Sequence, residues 1–395
     1  MRCLWLTYTD PEPRHNGQLL YSGGLIDAAA ANGAQIDVLG LARPGGATIR
    51  SNGSQSVNWR LSRQKARQPW QSLLSSLPHM ADRSWTPELR RMLDERLSAG
   101  GWDAIVFDSI AAGWALPVVL RHYPQRRHRP RIVYISHNHE TSLRSLVARN
   151  HPDFIKRQVL RMDAAKAWRL ERGLLEAADL ITAITPEDRD QYMAHRPDRR
   201  VEILTPGYSG PRAAGRRISK DLPRRAIIVG SFDWIAKRIN LEQFIETADR
   251  LFAAHNAELY VVGSADEGFL RHMRRRVTAT RFTGTVEDVP SFMQEARLAL
   301  VVERFGGGFK LKALDYVFHR IPILALSGSV AGMPLRDDDS ILYYPDYEAL
   351  ARGALDIIDD CERLNTLHDR AFDACCDSFD WSKRGQVLLS AIGAT

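Results

Sequence analysis

Short apolar runs recur along this 395-residue chain, each followed by a long stretch with helical spacing, and that alternation leaves few folds open. The clearest runs in the first half are Cys3–Leu6, Gln35–Leu39, Ala104–Phe107, Ile132–Ile135, Leu180–Ile184 and Val201–Leu204. A second series holds Ala226–Val229, Leu259–Val262, Ala299–Val302 and Ile323–Leu326. Strands with helical stretches between them pair in parallel, because a helix carries the chain back across the sheet before the next strand begins. The runs are almost continuously apolar rather than alternating, as strands covered on both faces must be. The expected class is therefore α/β, with doubly wound parallel sheets.

The series is interrupted once. Thr205-Pro206-Gly207-Tyr208-Ser209-Gly210-Pro211 is rich in residues that break regular structure, and a polar, basic stretch runs on to Arg225. Each side holds enough strands for a sheet of its own. The expectation is an N-terminal Rossmann-like domain over 1–207, a linker over 208–225, and a second Rossmann-like domain over 226–380. A short amphipathic helix over 381–395 is expected to pack back toward the first domain. Two such domains facing one another would enclose a cleft at the C-terminal ends of their strands, where open α/β sheets bind ligands.

Composition narrows the class further. Hydrophobic residues make up 44% and charged residues 26%, as in soluble globular proteins. No apolar run is long enough to span a bilayer. Met1-Arg2-Cys3-Leu4-Trp5 turns polar too soon for a signal peptide and reads as a first strand. Cys3, Cys361, Cys375 and Cys376 have neither zinc nor disulfide spacing, so a reducing cytoplasm is the expected location. The net charge of +7 suits anionic partners. It is concentrated at Arg121–Arg131 and at Arg274-Arg275-Arg276. The first cluster is either a solvated loop or a rim that meets anionic lipid at the inner face of the cytoplasmic membrane. No nucleic-acid motif accompanies it, so nucleic acid is not an expected partner.

The segment Gly306-Gly307-Gly308-Phe309-Lys310-Leu311-Lys312-Ala313-Leu314-Asp315 carries the most specific chemistry. Glycines allow a tight turn and close approach of backbone to ligand. The helix beginning near Lys310 points free amides and its positive dipole end at that turn, and the lysines add full charge. Such a site suits a phosphorylated ligand that carries hydroxyls. Lys310 and Lys312, two apart, cannot share a helix face, whereas Lys312 and Asp315 can. Lys312 is therefore assigned to a diphosphate and Asp315 to ribose hydroxyls, with Lys310 the weaker candidate. Gly230-Ser231 follows a buried strand and precedes Lys237 and Arg238. It is either an ordinary turn or a second phosphate contact. Gly284 lies in Phe282-Thr283-Gly284-Thr285-Val286, which is either a strand with a glycine bulge or a backbone edge for a nucleobase.

In the first half, Ser136-His137-Asn138-His139-Glu140 follows the strand Ile132–Ile135. His137 is the first polar group placed to enter a ligand site. His137 and His139, two apart, point to opposite sides, which argues against metal. Asn16-Gly17 makes the loop after the first strand, a flexible turn ahead of a helix over Gln18–Asn32. There is no GxGxxG, P-loop or GxSxG motif, which removes support for dinucleotide oxidoreductases, P-loop enzymes and α/β serine hydrolases.

Together these residues resemble the GT-B-fold glycosyltransferases, in particular the large retaining family 4 that includes bacterial polysaccharide and lipid-linked sugar transferases. The likeness spans essentially the whole chain. It is strongest in GGGFKLKALDYVFHRIPI, then in Val229–Trp234 with Lys237, then in the passage Glu176–Asp188. His137 falls where many members carry an active-site histidine. The resemblance implies a nucleotide-sugar donor bound by the second domain and a glycan, lipid-linked or protein acceptor bound by the first. It implies no metal and no other cofactor, with cations and helix N-termini stabilising the departing diphosphate. His137 would hold the donor sugar, and domain closure would exclude water. The sequence departs from the family in two places. Gly307 stands where the first of two acidic residues is usual, with Glu303 four residues upstream and too far by spacing. Arg320 replaces a small residue. The departures leave two alternatives, an epimerase-like enzyme and a non-catalytic binder of the same fold.

Overall fold

The computed structural model describes residues 1–14, 16–51, 56–63, 71–151, 153–304 and 308–394. The chain divides into two compact units, Met1–Gly207 with Asp380–Thr395, and Tyr208–Phe379.

The first unit is built on an eight-stranded sheet of β1 (Arg2–Thr9), β2 (Gln35–Leu41), β3 (Ile49–Ser51), β4 (Val57–Ser62), β5 (Ala104–Asp108), β6 (Arg131–Ile135), β7 (Leu180–Ala183) and β8 (Arg200–Ile203). Their order is β3-β4-β2-β1-β5-β6-β7-β8. All neighbours are parallel except β3 and β4. The expected inner strands are buried along their length: every residue of β5 and β7 is inaccessible, because helices cover both faces. The Gly17–Ala31 helix starts where the Asn16 side chain accepts from the Leu19 amide. The final helix, Trp381–Gly393, lies on it. A β-carbon on Gly24 would fall 2.4 Å from the Trp381 ring, so only glycine admits that indole. Arg384 fixes the same helix by donating from Nε to the Thr205 carbonyl at 2.9 Å.

The second unit holds β9 (Arg225–Val229), β10 (Glu258–Val262), β11 (Thr280–Gly284), β12 (Leu298–Val301), β13 (Ile323–Leu326) and β14 (Leu342–Tyr344), in the order β11-β10-β9-β12-β13-β14. All pairs are parallel. In each sheet the order reverses beside the first strand, between β1 and β5 and between β9 and β12. Such switch points leave a crevice at the C-terminal strand ends.

Residues 208–224, expected as a linker, are part of the second unit. The Ala213 amide donates to the Phe318 carbonyl at 2.7 Å, and Asn365 brackets Ile218 on both its amide (2.8 Å) and its carbonyl (2.9 Å). Arg216 donates to the carbonyls of Arg320, Met293 and Gln294, and burial lowers its pKa to about 10. Three strands had no expectation from sequence: β3, β4 and β14.

Candidate active site

At the switch point of the second unit, β9 ends at Val229 and Gly230–Trp234 turns into the helix Ile235–Ala254. The Gly230 amide donates to the Val262 carbonyl at 3.0 Å and the Phe232 amide to the Ser264 carbonyl at 2.7 Å, which fixes the turn. Ser231 and Arg238, expected at the ligand, brace this turn through Asp233. The Ser231 hydroxyl donates to its carboxylate at 2.6 Å, and Arg238 donates to its carbonyl at 2.9 Å. Gly263, not singled out from sequence, locks the turn from the neighbouring strand. Its φ is +134°, and a β-carbon there would lie 1.8 Å from the Gly230 carbonyl oxygen. Gly284 ends β11 with φ +76° and accepts from the Gly263 amide at 3.1 Å. The register of β10 against β11 shifts at this point, so the bulge reading of Phe282–Gly284 describes the backbone.

Across the switch point, β12 leads to Glu303. This buried carboxylate takes the Lys312 ammonium at 2.5 Å. The sequence sets Glu303 four residues upstream of the expected sugar-binding carboxylate; in the structure its partner is Lys312. Burial pushes the Glu303 pKa up, but Lys312, Lys310 and Lys237 together outweigh burial and hold it below its ordinary value. Its Oε2 has no partner among the described residues. Lys237 is depressed, first by burial and then by the charge of Lys312. Three lysines thus surround one carboxylate, leaving positive charge in excess. The site also faces the N-termini of two helices, Ile235–Ala254 and Leu311–Phe318, neither of which has a side-chain cap.

The glycine loop lies partly outside the described residues: Gly306 and Gly307 are among those not described, as is Phe305. Gly308 has φ +75°. Phe309 packs on Phe379 with ring centroids 5.7 Å apart, so it backs the loop. Lys310 precedes the first turn of the helix and accepts from the Ala313 amide at 2.8 Å. Lys312 and Asp315 serve different partners: Asp315 lies beside the Tyr208 phenol, which donates to the Pro211 carbonyl at 3.3 Å. Burial raises the pKa of Asp315, and Tyr208 and His319 offset part of that rise.

At the switch point of the first unit, His137 stands beyond β6, 9% exposed. Its Nε2 donates to Asp108 Oδ1 at 2.6 Å, and the other carboxylate oxygen accepts from Trp5 Nε1 at 3.1 Å. Asp108 therefore keeps the ring proton on Nε2 and leaves Nδ1 as the second functional atom. Nδ1 is buried and without a partner among the described residues. The Tyr21 ring meets His137 edge-on at 5.1 Å, and its hydroxyl donates to the Leu204 carbonyl at 2.6 Å. Gly17 begins the same helix one turn earlier. His139 has a structural task, accepting on Nδ1 from the Ser142 amide at 3.2 Å to cap the helix Glu140–Asn150. Asp108, Trp5 and Tyr21 were not anticipated. The signal for Asp108 was a lone carboxylate ending an otherwise apolar strand.

The Arg121–Arg131 segment leads into the N-terminal end of β6, the end opposite His137. Arg126 and Arg129 there pair with Asp179 at 2.6 and 3.3 Å.

Comparison with known proteins places this geometry. Residues 16–209 match the family described as Glycosyltransferase Family 4, and residues 223–360 match Glycosyl transferases group 1. Among curated proteins none matches the sequence. Solved structures share the fold over the full chain. Sucrose-phosphate synthase from Thermosynechococcus elongatus is 18% identical, with a TM-score of 0.72 and 100% of both chains covered. Trehalose-6-phosphate synthase OtsA is 14% identical, with a TM-score of 0.65, covering 100% of this chain and 99% of its own. Anabaena Alr3699/HepE, solved in complex with UDP-glucose, is 12% identical with a TM-score of 0.62 and covers 100% of both chains.

Proposed function

We propose that this chain, a glycosyltransferase of the GT-B fold and of family 4 type, moves a sugar from a nucleoside-diphosphate donor to a glycan, lipid-linked or protein acceptor in bacterial surface polysaccharide synthesis. The observation that carries the donor assignment is the grouping of Lys237, Lys310 and Lys312 around Glu303, beside two uncapped helix N-termini at a switch point. The surplus cation and the free amides stabilise charge as the bond from the anomeric carbon to the diphosphate oxygen breaks. No metal is required for that task and no further cofactor is invoked. Asp315 takes the ribose hydroxyls and the backbone at Gly284 the nucleobase, with Gly230 and Gly308 at the phosphates. The first unit binds the acceptor, and a nucleotide-sugar donor is supported by the UDP-glucose held by the Anabaena relative.

In the retaining reading, which the family likeness supports, the acceptor hydroxyl attacks from the side of the leaving group. Its proton passes to the departing diphosphate, and His137 Nδ1 accepts a hydrogen bond from a sugar hydroxyl. A second reading is favoured by one observation: Asp108 holds His137 as an Asp–His pair with a bare Nδ1. Such a pair can take the acceptor proton directly, and the sugar is then transferred with inversion.

Calorimetry with nucleoside diphosphates tests the donor site. Lys312→Ala is expected to weaken binding by about 2–3 kcal/mol, the cost of removing a charged hydrogen-bond partner, and undiminished affinity would remove the lysine group from the reading. Proton NMR of the product's anomeric configuration decides between the two courses of transfer.

A further inference from the structure

The helix Phe154–Ala177 carries its apolar residues on the wrong side over its first half. The core face of a helix is expected to be apolar and the solvent face polar. Here Ala164, Ala167, Glu171 and Leu174 face inward, and the opposite face presents Phe154, Ile155, Val159 and Met162. These are 67, 74, 37 and 53% exposed. Ile155, Val159 and Met162 are spaced four and three apart, so they form one line along the helix. Lys166 continues that line and donates to the carbonyls of Ser72 and Leu73 at 3.0 and 2.9 Å. That contact brings the short helix Gln71–Leu74, with Leu73 and Leu74 exposed, to the end of the same face.

Charge says what covers this face. Lys156 and Arg161 flank it and are exposed. The nearby acids are committed elsewhere. Asp153 caps the helix by accepting from the Lys156 amide at 2.9 Å, and Asp163 pairs with Arg144 at 2.6 Å. Apolar side chains bordered by cations, with no carboxylate in the exposed line, match the acyl–headgroup boundary of an anionic bilayer. Two copies of this chain meeting there about a twofold axis would instead bring like charges together.

Location adds a reason. Glu171 accepts from the amides of Glu140 and Thr141, just past the C-terminal end of β6. The helix preceding Glu171 therefore overhangs the sheet by about 25 Å at 1.5 Å per residue. The apolar line sits on that overhang, at the same end of the sheet as His137. The Arg121–Arg131 loop lies at the other end, with Arg126 and Arg129 turned to Asp179.

We propose that the outward face of the helix Phe154–Ala177, from Phe154 to Met162, seats the protein on an anionic membrane surface. The contact holds whether or not the transfer reading does, since it uses none of the candidate-site residues.

Co-sedimentation of the full chain with phosphatidylcholine vesicles, and with the same vesicles carrying phosphatidylglycerol, tests it. The unaltered chain is expected to bind the anionic vesicles and not the neutral ones. Ile155→Ser with Met162→Ser, and separately Lys156→Gln with Arg161→Gln, should each lower binding about tenfold or more. Both pairs are exposed, so the thermal transition should be preserved. Equal binding by all forms would overturn the proposal, as would no binding by the unaltered chain. A dimer abolished by the serine pair, in the absence of vesicle binding, would assign the face to a second copy and overturn it too. Nucleoside-diphosphate binding measured on the same variants should be unchanged and keeps the two readings separate.

Discussion

Lys237 is a cation whose charge its surroundings weaken. Burial first, and Lys312 second, lower its pKa. A lysine with a lowered pKa is cationic below that value and loses its charge as pH rises through it, earlier than an ordinary lysine would. A bound diphosphate favours the charged form and pulls a proton back. Nucleoside-diphosphate affinity should therefore fall on the alkaline side before ordinary lysines titrate, with proton uptake on binding. Lys237→Arg, which stays charged, should flatten that limb. Calorimetry in buffers of different ionisation enthalpy reads both effects, and a pH-independent affinity with no proton uptake would place Lys237 outside the phosphate site. At this scale the sequence showed residue types more clearly than partners. Spacing puts Lys310 and Lys312 on different helix faces, but Lys310 precedes the helix and both bear on Glu303. It is silent on Glu303 meeting Lys312, because that contact closes across a loop. It is equally silent on Asp108 meeting His137. Asp108 ends β5 in register with Ile135, the last residue of β6, and His137 lies two residues beyond it, so only the sheet order makes them neighbours.

Elements were legible in proportion to their burial. Strands covered on both faces, such as β5 and β12, announce themselves as unbroken apolar runs. Three strands at or next to the sheet edges do not. β4 alternates buried and exposed residues over Val57–Arg60, β14 is half-buried throughout, and β3 pairs only with β4. The loop at Gly230 was recognised, but not what holds it, since Gly263 looks like any glycine after a strand. Its backbone angle and its contact with the Gly230 carbonyl make it the least replaceable residue of that turn. Gly263→Ala must strain φ and displace the turn together, and should cost at least about 2 kcal/mol in urea unfolding. It should also weaken nucleoside-diphosphate binding, because the displaced turn carries the amides that lead into the helix Ile235–Ala254. Full stability in that variant would mean the turn can relax without loss, and the close approach would then have no structural consequence.

The chain crosses between its units twice, and its last helix belongs with the first unit rather than the second. That has a thermodynamic consequence. Trp381 occupies space that only Gly24 and Gly207 leave open, Gly385 lies against the Ala28 carbonyl, and Asn32 donates to the Ser382 carbonyl at 3.1 Å. Ending the chain after Phe379 removes all of these contacts from the first unit. Leu388 and Ile392 of the same helix are buried as well, and loss of one large buried aliphatic group costs about 2–5 kcal/mol in a core, so the first unit should unfold well below its usual temperature. The second unit keeps its own sheet, its lysine group and the Arg216 contacts that fasten residues 208–224 to it. A nucleoside diphosphate at about a hundredfold its dissociation constant should stabilise that unit by about 2.7 kcal/mol, in the shortened chain as in the full one. Hydrogen exchange read by mass spectrometry separates the two effects. Peptides spanning β1 and β5 should lose protection on truncation, and peptides spanning β9 and β12 should gain it on adding the nucleotide. If truncation weakened both sets alike, the last helix would be supporting more than the unit it packs on. If the nucleotide protected β1 and β5 rather than β9 and β12, the donor would belong to the first unit, and the lysine group around Glu303 would need another ligand.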